Sequence, residues 1–448
     1  MRLKHNIFIC ILILILSGKT SFAQLAPPSI NAVPLPVGSG ARALGQGGAF
    51  IAVADDATAA SWNPSGLTQL ERPEFSLVDS FLSIQQDFDP GTTGLLSLDD
   101  ESVSSGDLNY ASVAYPFRIF GKNLVAALNY QQKYDFHMRF DYDRIFESSG
   151  GEFIDKQSVD FKSRGGIAAL TPAISLQVIP KLSIGIAVNF FTDELFGDFA
   201  WKETLRARSE GSVFGNDFSR SYDGTETFKN FQAVNITAGM LLEVWEKEDK
   251  RLTFGAVFHS PYTADVDRVT DSFSVITNST GTTVGSGHIR EHLEINYPMS
   301  FGGGFGFRYS DALSFSMDVT WTDWSEFEQE NEETGVKSRP LGGVSTDRDI
   351  DDTYAVRFGT EYLIFRQKMI IPVRGGLFYD PRPSLDDPTD VYGFSAGSGI
   401  TFKRFSIDGA YQFRWANDVD GEDFGRGLKG THFDLDEHLF LVSVIVYF

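Results

Sequence analysis

Three short patterns combine residue types that can do chemistry. Gly393-Phe394-Ser395-Ala396-Gly397 matches G-x-S-x-G, a pattern that activates its serine only where a strand turns sharply into a helix. Residues 391–402 read instead as one continuous strand with Ser395 on its inner face. His288-Ile289-Arg290-Glu291-His292 matches H-x-x-E-H, which needs a helix to bring both imidazoles and the carboxylate to one metal ion. Here His288, Arg290, His292 and Glu294 alternate with Ile289, Leu293 and Ile295, so the stretch is a strand and Glu291 falls on the face away from the histidines. Asn417 to Asp423 resembles part of a calcium loop but lacks the full ligand spacing, and reads as a solvated acidic loop. No catalytic set, metal site or cofactor is expected.

A fourth set is charged rather than reactive. Arg357 and Glu361 share the strand face opposite Val356, Phe358 and Tyr362; Arg374 lies opposite Val373 and Leu377; Arg414 lies opposite Phe413 and Trp415; Arg308 lies opposite Phe307. On a lipid-facing barrel surface near the bilayer midplane an arginine costs about 2–4 kcal/mol, so these side chains are expected to face a lumen. Two uses are open to them there: a salt-bridge lattice with Asp318, Glu361 and Asp408, or bidentate capture of a ligand carboxylate.

The elements that carry these residues have a period of two. Leu313, Phe315, Met317, Val319 and Trp321 alternate with Ser314, Ser316, Asp318 and Thr320, and similar alternation runs through 182–190 and 405–415. Each run is long enough for a tilted strand to cross a membrane. Strands are expected near 75–84, 108–117, 122–135, 163–178, 182–193, 228–244, 251–260, 288–309, 312–322, 353–364, 369–379, 391–402, 404–415 and 438–448, about fourteen in all. Their connections alternate between short turns (179–181, 310–311, 403) and long loops (194–227, 261–287, 323–352). A transmembrane barrel sorts its connections in this way, and a soluble sandwich has no reason to. Trp321, Trp324, Phe413 and Trp415 near strand ends suit the headgroup level. Pro116 and Pro172 mark possible wall irregularities.

The first residues set the compartment. Arg2 and Lys4 precede an apolar run from Ile7 to Leu16, then Ser17 to Ala23 is small and polar; this is the layout of a cleaved signal peptide, residues 1–23. Cys10, the only cysteine, falls inside it, so the exported chain has no disulfide or thiolate metal site. Those residues carry three positive charges and no acid, leaving the remainder more negative than the −22 of the whole chain. Such a surface repels phosphate backbones, so nucleic acid is excluded as a partner. The 40 Phe and 43 Gly suit strands and tight turns rather than helices.

Residues 24–72 differ from the rest: Pro-rich at 27–36, then small and glycine-rich, with a short helical turn expected around Asp55 to Ser61. The stretch GARALGQGGAFIAVADDATAASWNPSGL (40–67) resembles the start of the FadL/TodX transporters. FHSPYTADV (258–266), YPMSFGGGFGFR (297–308), FSMDVTWTDWSEF (315–327), RFGTEYLI (357–364) and IPVRGGLFYDPRP (371–383) are similar to segments of that family. The resemblance implies an all-β, fourteen-stranded barrel over 73–448 with residues 24–72 as a plug in its lumen. It carries over Gly47, Gly48 and the Asn63-Pro64-Ser65-Gly66 motif, where Ser65 replaces the family's Ala. Phe448 resembles the signal read by the barrel-assembly machinery.

The family implies passive uptake of a hydrophobic small molecule or fatty acid across the bacterial outer membrane, amid outer-membrane lipid. Arg357, Arg374 and Arg414 would then meet the carboxylate, and Phe196, Phe199 and Trp201 would form an outer apolar landing site. Two rival readings are a FadL-related scaffold for type IX secretion and a general polar porin.

Overall fold

The computed structural model describes residues 35–36, 38–89, 96–98, 101–147, 150–193, 201–424 and 431–448. Fourteen antiparallel strands form its wall. They are β1 (Glu74–Asp89), β2 (Glu101–Ile119), β3 (Lys122–Asp135), β4 (Gly166–Ile179), β5 (Leu182–Thr192), β6 (Asn216–Lys247) and β7 (Lys250–His259). They continue as β8 (Ser300–Arg308), β9 (Leu313–Thr322), β10 (Thr353–Phe365), β11 (Ile370–Tyr379), β12 (Tyr392–Thr401), β13 (Phe405–Asp420) and β14 (His432–Tyr447). Each pairs with the next, and β14 returns to β1 from Glu74↔Tyr447 to Asp89↔His432, which closes the ring. Closure leaves no unpaired edge in the wall, as a low-dielectric solvent demands.

The alternation runs inside-out relative to a soluble protein. On β9 Met317 and Val319 are exposed while Ser316 and Asp318 are buried; on β11 Val373 and Leu377 are exposed while Arg374 is buried. Only a hydrocarbon surround makes that arrangement favourable, so the barrel spans a membrane. Short turns join β2–β3, β4–β5, β6–β7, β8–β9, β10–β11 and β12–β13 at one rim, and the longer connections lie at the other. Pro116 pairs regularly with Val125. At Pro172 the β4–β5 ladder skips two residues but resumes in the same register, from Leu170↔Phe190 to Ala173↔Ala187. The proline removes a donor there without shifting the wall.

Four expectations need correction. The strand expected over 288–309 is two strands: residues 281–297 leave the wall, and only Ser300–Arg308 belongs to it. Pro298, lacking an N–H, stands at the break. Much of the chain expected as loop carries β-structure: Met138–Glu147, Phe153–Arg164, Trp201–Val213, the first half of β6 and Tyr262–Asn278 pair in order as an outer sheet. That sheet ends on Gly281–Tyr297, whose residues 288–297 are the part of the expected strand that leaves the wall. β6 passes from wall to outer sheet through a register irregularity at Lys229–Gln232, with Asn230 at φ 56°. Trp324 does not sit at headgroup level; it is 8% exposed in the outer-sheet core and donates to Thr353 Oγ1 at 2.9 Å. The acidic stretch is not solvated throughout: Gly421–Phe424 is a buried turn in which Asp423 accepts the Leu385 N–H at 2.8 Å. In the last two cases a partner distant in the chain decides the placement.

The H-x-x-E-H residues lie in the outer-sheet strand Gly281–Tyr297. His288 faces Asp271 and His292 faces Asp267, whereas Glu291 pairs with Arg268 at 2.7 Å. Ser395 lies within β12, far from any strand-to-helix turn.

Candidate functional site

The site is built on the small-residue stretch before the wall. Residues 38–72 form a helix at Ala41–Gly45, a helical turn at Ala59–Trp62 and a 3-10 turn at Pro64–Gln69. Asn63 caps that last turn: its Oδ1 accepts from Ser65 N at 3.2 Å and Ser65 Oγ at 2.6 Å. Its Nδ2 donates to Ile51 O and, across to the wall, Met240 O. The Ser65 hydroxyl thus gives Asn63 Oδ1 a second donor besides the Ser65 N–H. Gly66 is required because a Cβ there would overlap Ala54 O.

The segment meets the wall on every side. Ala57 N donates to Glu74 on β1 and Ala57 O accepts from Tyr110 on β2. Ser65 O accepts from Ser175 on β4, and Ala52 O from Thr253 on β7. Ile51 N donates to Asp318 on β9, Gly47 N to Ser395 on β12, and Ala41 N to Ser443 on β14. Contacts all round a closed ring place residues 38–72 within it. Buried main-chain groups need such partners, and the inward serines and carboxylates provide them.

Ion pairs fasten the same contact. Arg42 reaches Glu361 Oε1 at 3.1 Å and also pairs with Asp55. Glu361 Oε2 and Asp408 Oδ1 in turn accept from Arg374, at 2.6 and 2.5 Å. Arg374, Glu361 and Asp408 are all buried. Of the two uses the sequence leaves open, Arg374 occupies the lattice.

Above the segment lies a cavity of about 380 Å³, within the usual range for small-molecule sites. Leu44, Ile51 and Trp62 of the segment form its floor, and Phe191, Val257, Phe378 and Leu439 are among its apolar walls. Tyr262 and Trp324, from the outer connections, help roof it. Its polar side carries Arg357, Asp380, Arg382, Arg414 and Glu437. Arg357 donates to Asp380 at 2.8 Å and Arg414 to its other oxygen at 3.4 Å. Glu437 lies 3.6 Å from Arg414 Nε and pairs with Arg382.

Sequence reasoning placed Arg357 and Arg414 inward, and both line the cavity; Arg374 is not among the lining residues. It missed Arg382 and Asp380, which lie beyond the end of β11, where alternation says nothing about direction. It also missed Lys133 on β3, although counting in twos from the outward Leu128 puts position 133 inside. Trp201 does not form an open landing site: its ring stacks between Phe136 and Phe228, with centroids at 4.2 and 3.7 Å. Phe196, Phe199 and residues 1–23 lie outside the described residues.

The family described as outer membrane protein transport protein (OMPP1/FadL/TodX) matches residues 30–438. Among solved structures, a Pseudomonas aeruginosa FadL homologue aligns with TM-score 0.59 at 14% identity, covering 94% of this chain and all of its own. The Pseudomonas putida toluene transporter TodX aligns with TM-score 0.58 at 12% identity, covering 93% of this chain and 100% of that one. The Ralstonia pickettii toluene transporter TbuX gives 0.51 at 15%, covering 92% and 98%. A comparison with curated protein sequences finds no match.

Proposed function

The chain belongs to the OMPP1/FadL/TodX family of outer-membrane transport proteins, and from that premise we propose that it is a passive channel for hydrophobic compounds, with long-chain fatty acids as its ligands. The observation that carries this reading is the cavity: mostly apolar, with charged side chains set into its lining, floored by the N-terminal segment and roofed by the outer connections. A hydrophobic compound gains by leaving water for such a lining, at about 25 cal/mol per Å² of apolar surface buried. The segment acts as the plug, blocking free passage of water and ions until it moves. Ligand arrives from outside, with the sequence around Phe196 and Phe199 as the landing site.

Transfer runs down the ligand's gradient. Arg357 and Arg414 shape the polar end of the cavity through Asp380 and Glu437. The toluene transporters among the similar structures support a broad apolar range; the charged side of the cavity favours an acid.

Mass spectrometry of lipids retained by the purified barrel tests the reading, followed by displacement with a fatty acid and a neutral hydrocarbon. One apolar ligand per barrel, displaced more strongly by the acid, is the expected result. A barrel that neither retains nor binds either compound refutes it, and co-purifying proteins would then point to a secretion scaffold. Steady ion conductance of the intact chain in planar bilayers would instead indicate a porin.

A further inference from the structure

We propose that Lys133 reads the charged head of the ligand and sets the preference of this channel for anionic amphiphiles over neutral hydrocarbons. The inference rests on the reading of the cavity as the ligand site and adds the residue that discriminates within it.

Three observations carry it. The first is charge pairing. Seven lysine, arginine and acidic side chains line the cavity, and the three arginines are shared with Asp380 and Glu437. Asp135 is held by His137 Nδ1 at 3.1 Å. Among the described residues Lys133 has no carboxylate partner; the titratable side chain that feels its charge is the buried imidazole of His259, whose Nδ1 bonds Thr237 Oγ1 and which offers no negative charge. A desolvated ammonium without a counter-ion is costly, and an incoming anion removes that cost.

The second is backbone geometry. β3 pairs with β4 at Gln132↔Ala168 and Tyr134↔Ile167, so Lys133 is the extra residue of a bulge. Bulges re-aim side chains, and here the consecutive residues Gln131 to Asp135 all line the cavity, where strict alternation would admit every second one. The third is composition across the cavity. Phe191, Val257 and Tyr262 line the same cavity as Lys133, so a head held at Lys133 has apolar surface within the cavity for its tail. An ammonium with three donors suits a carboxylate approaching in varied orientations, unlike the fixed fork of an arginine.

Equilibrium binding of palmitate and of 1-hexadecanol to the detergent-purified full-length barrel tests this. The two ligands share a chain length and differ in the charge of the head. The wild type is expected to bind palmitate more tightly. Lys133→Met is expected to weaken palmitate by roughly tenfold or more and leave hexadecanol within about twofold, the scale of one lost charged hydrogen bond. Lys133→Arg should keep most of the preference. Heat-modified gel mobility equal to wild type shows that each variant is a folded barrel.

An unchanged palmitate-to-hexadecanol ratio in Lys133→Met overturns the proposal, as does equal weakening of both ligands, which would mean lost packing. Wild type that binds neither ligand refutes the underlying cavity assignment. Binding of both without preference leaves the channel reading intact and removes the role of Lys133.

Discussion

Gly376→Val is expected to drive the N-terminal segment out of its seat and raise the ion conductance of the barrel in planar bilayers by roughly tenfold or more, toward that of a water-filled lumen. Gly376 on β11 lies against the main chain of the segment: a Cβ there would overlap Gly47 N and Gln46 C. The segment cannot yield by a small shift. Gly47 sits at φ 68°, donates to Ser395 Oγ, and would itself place a Cβ 3.1 Å from Phe358 O.

The wall has no such constraint once the segment leaves, because the added side chain then points into open lumen. Gly375→Val is the matched control. Its Cβ meets nothing closer than 3.9 Å, and its conductance should equal wild type. Limited proteolysis of residues 38–72 should increase in Gly376→Val alone. A folded Gly376→Val barrel with wild-type conductance would mean that the segment is not what blocks the lumen.

The second large effect is on stability. Arg374→Ala should destabilise the barrel by about 3–5 kcal/mol, the usual result of leaving buried charge uncompensated. Arg374 bridges Glu361 and Asp408, with all three side chains about 5% exposed. Among the described residues its loss leaves Glu361 with Arg42 and Asp408 with the Ser406 hydroxyl at 2.7 Å. Arg414→Ala should cost less, since Asp380 keeps Arg357 and Glu437 keeps Arg382.

The double variant Arg374→Ala, Asp408→Ala should lose less than the sum of its parts, because removing the second partner also removes the stranded charge. Unfolding in detergent, followed by gel mobility against denaturant, measures these three and the Asp408→Ala single variant that completes the cycle. A loss below about 1 kcal/mol in Arg374→Ala, the scale of an exposed pair, would show the lattice to be ornamental.

Period-two alternation is a local property, and the membrane makes it legible. Lipid outside and polar lumen inside force Met317 and Ser316, or Val373 and Arg374, to opposite faces, so neighbouring residues report the wall without any knowledge of their partners. The strand count, the sorted turns and the inward arginines therefore follow from sequence. The contacts of the small-residue segment are partly legible too, since Gly47 and Gly66 announce close approach without naming what approaches.

Partners distant in the chain are another matter. Whether Arg374 meets a ligand or Asp408, whether Trp201 is open or stacked between Phe136 and Phe228, and whether 288–297 stays in the wall depend on strands brought together only by closure. Lys133 shows the division within one residue. Alternation alone places it inward, but the bulge opposite Ala168 and Ile167, and the lack of a carboxylate beside it among the described residues, exist only in the folded ring. Sequence sets which solvent a side chain faces; tertiary structure sets which charge it meets, because electrostatic pairing acts between atoms that the chain itself keeps far apart.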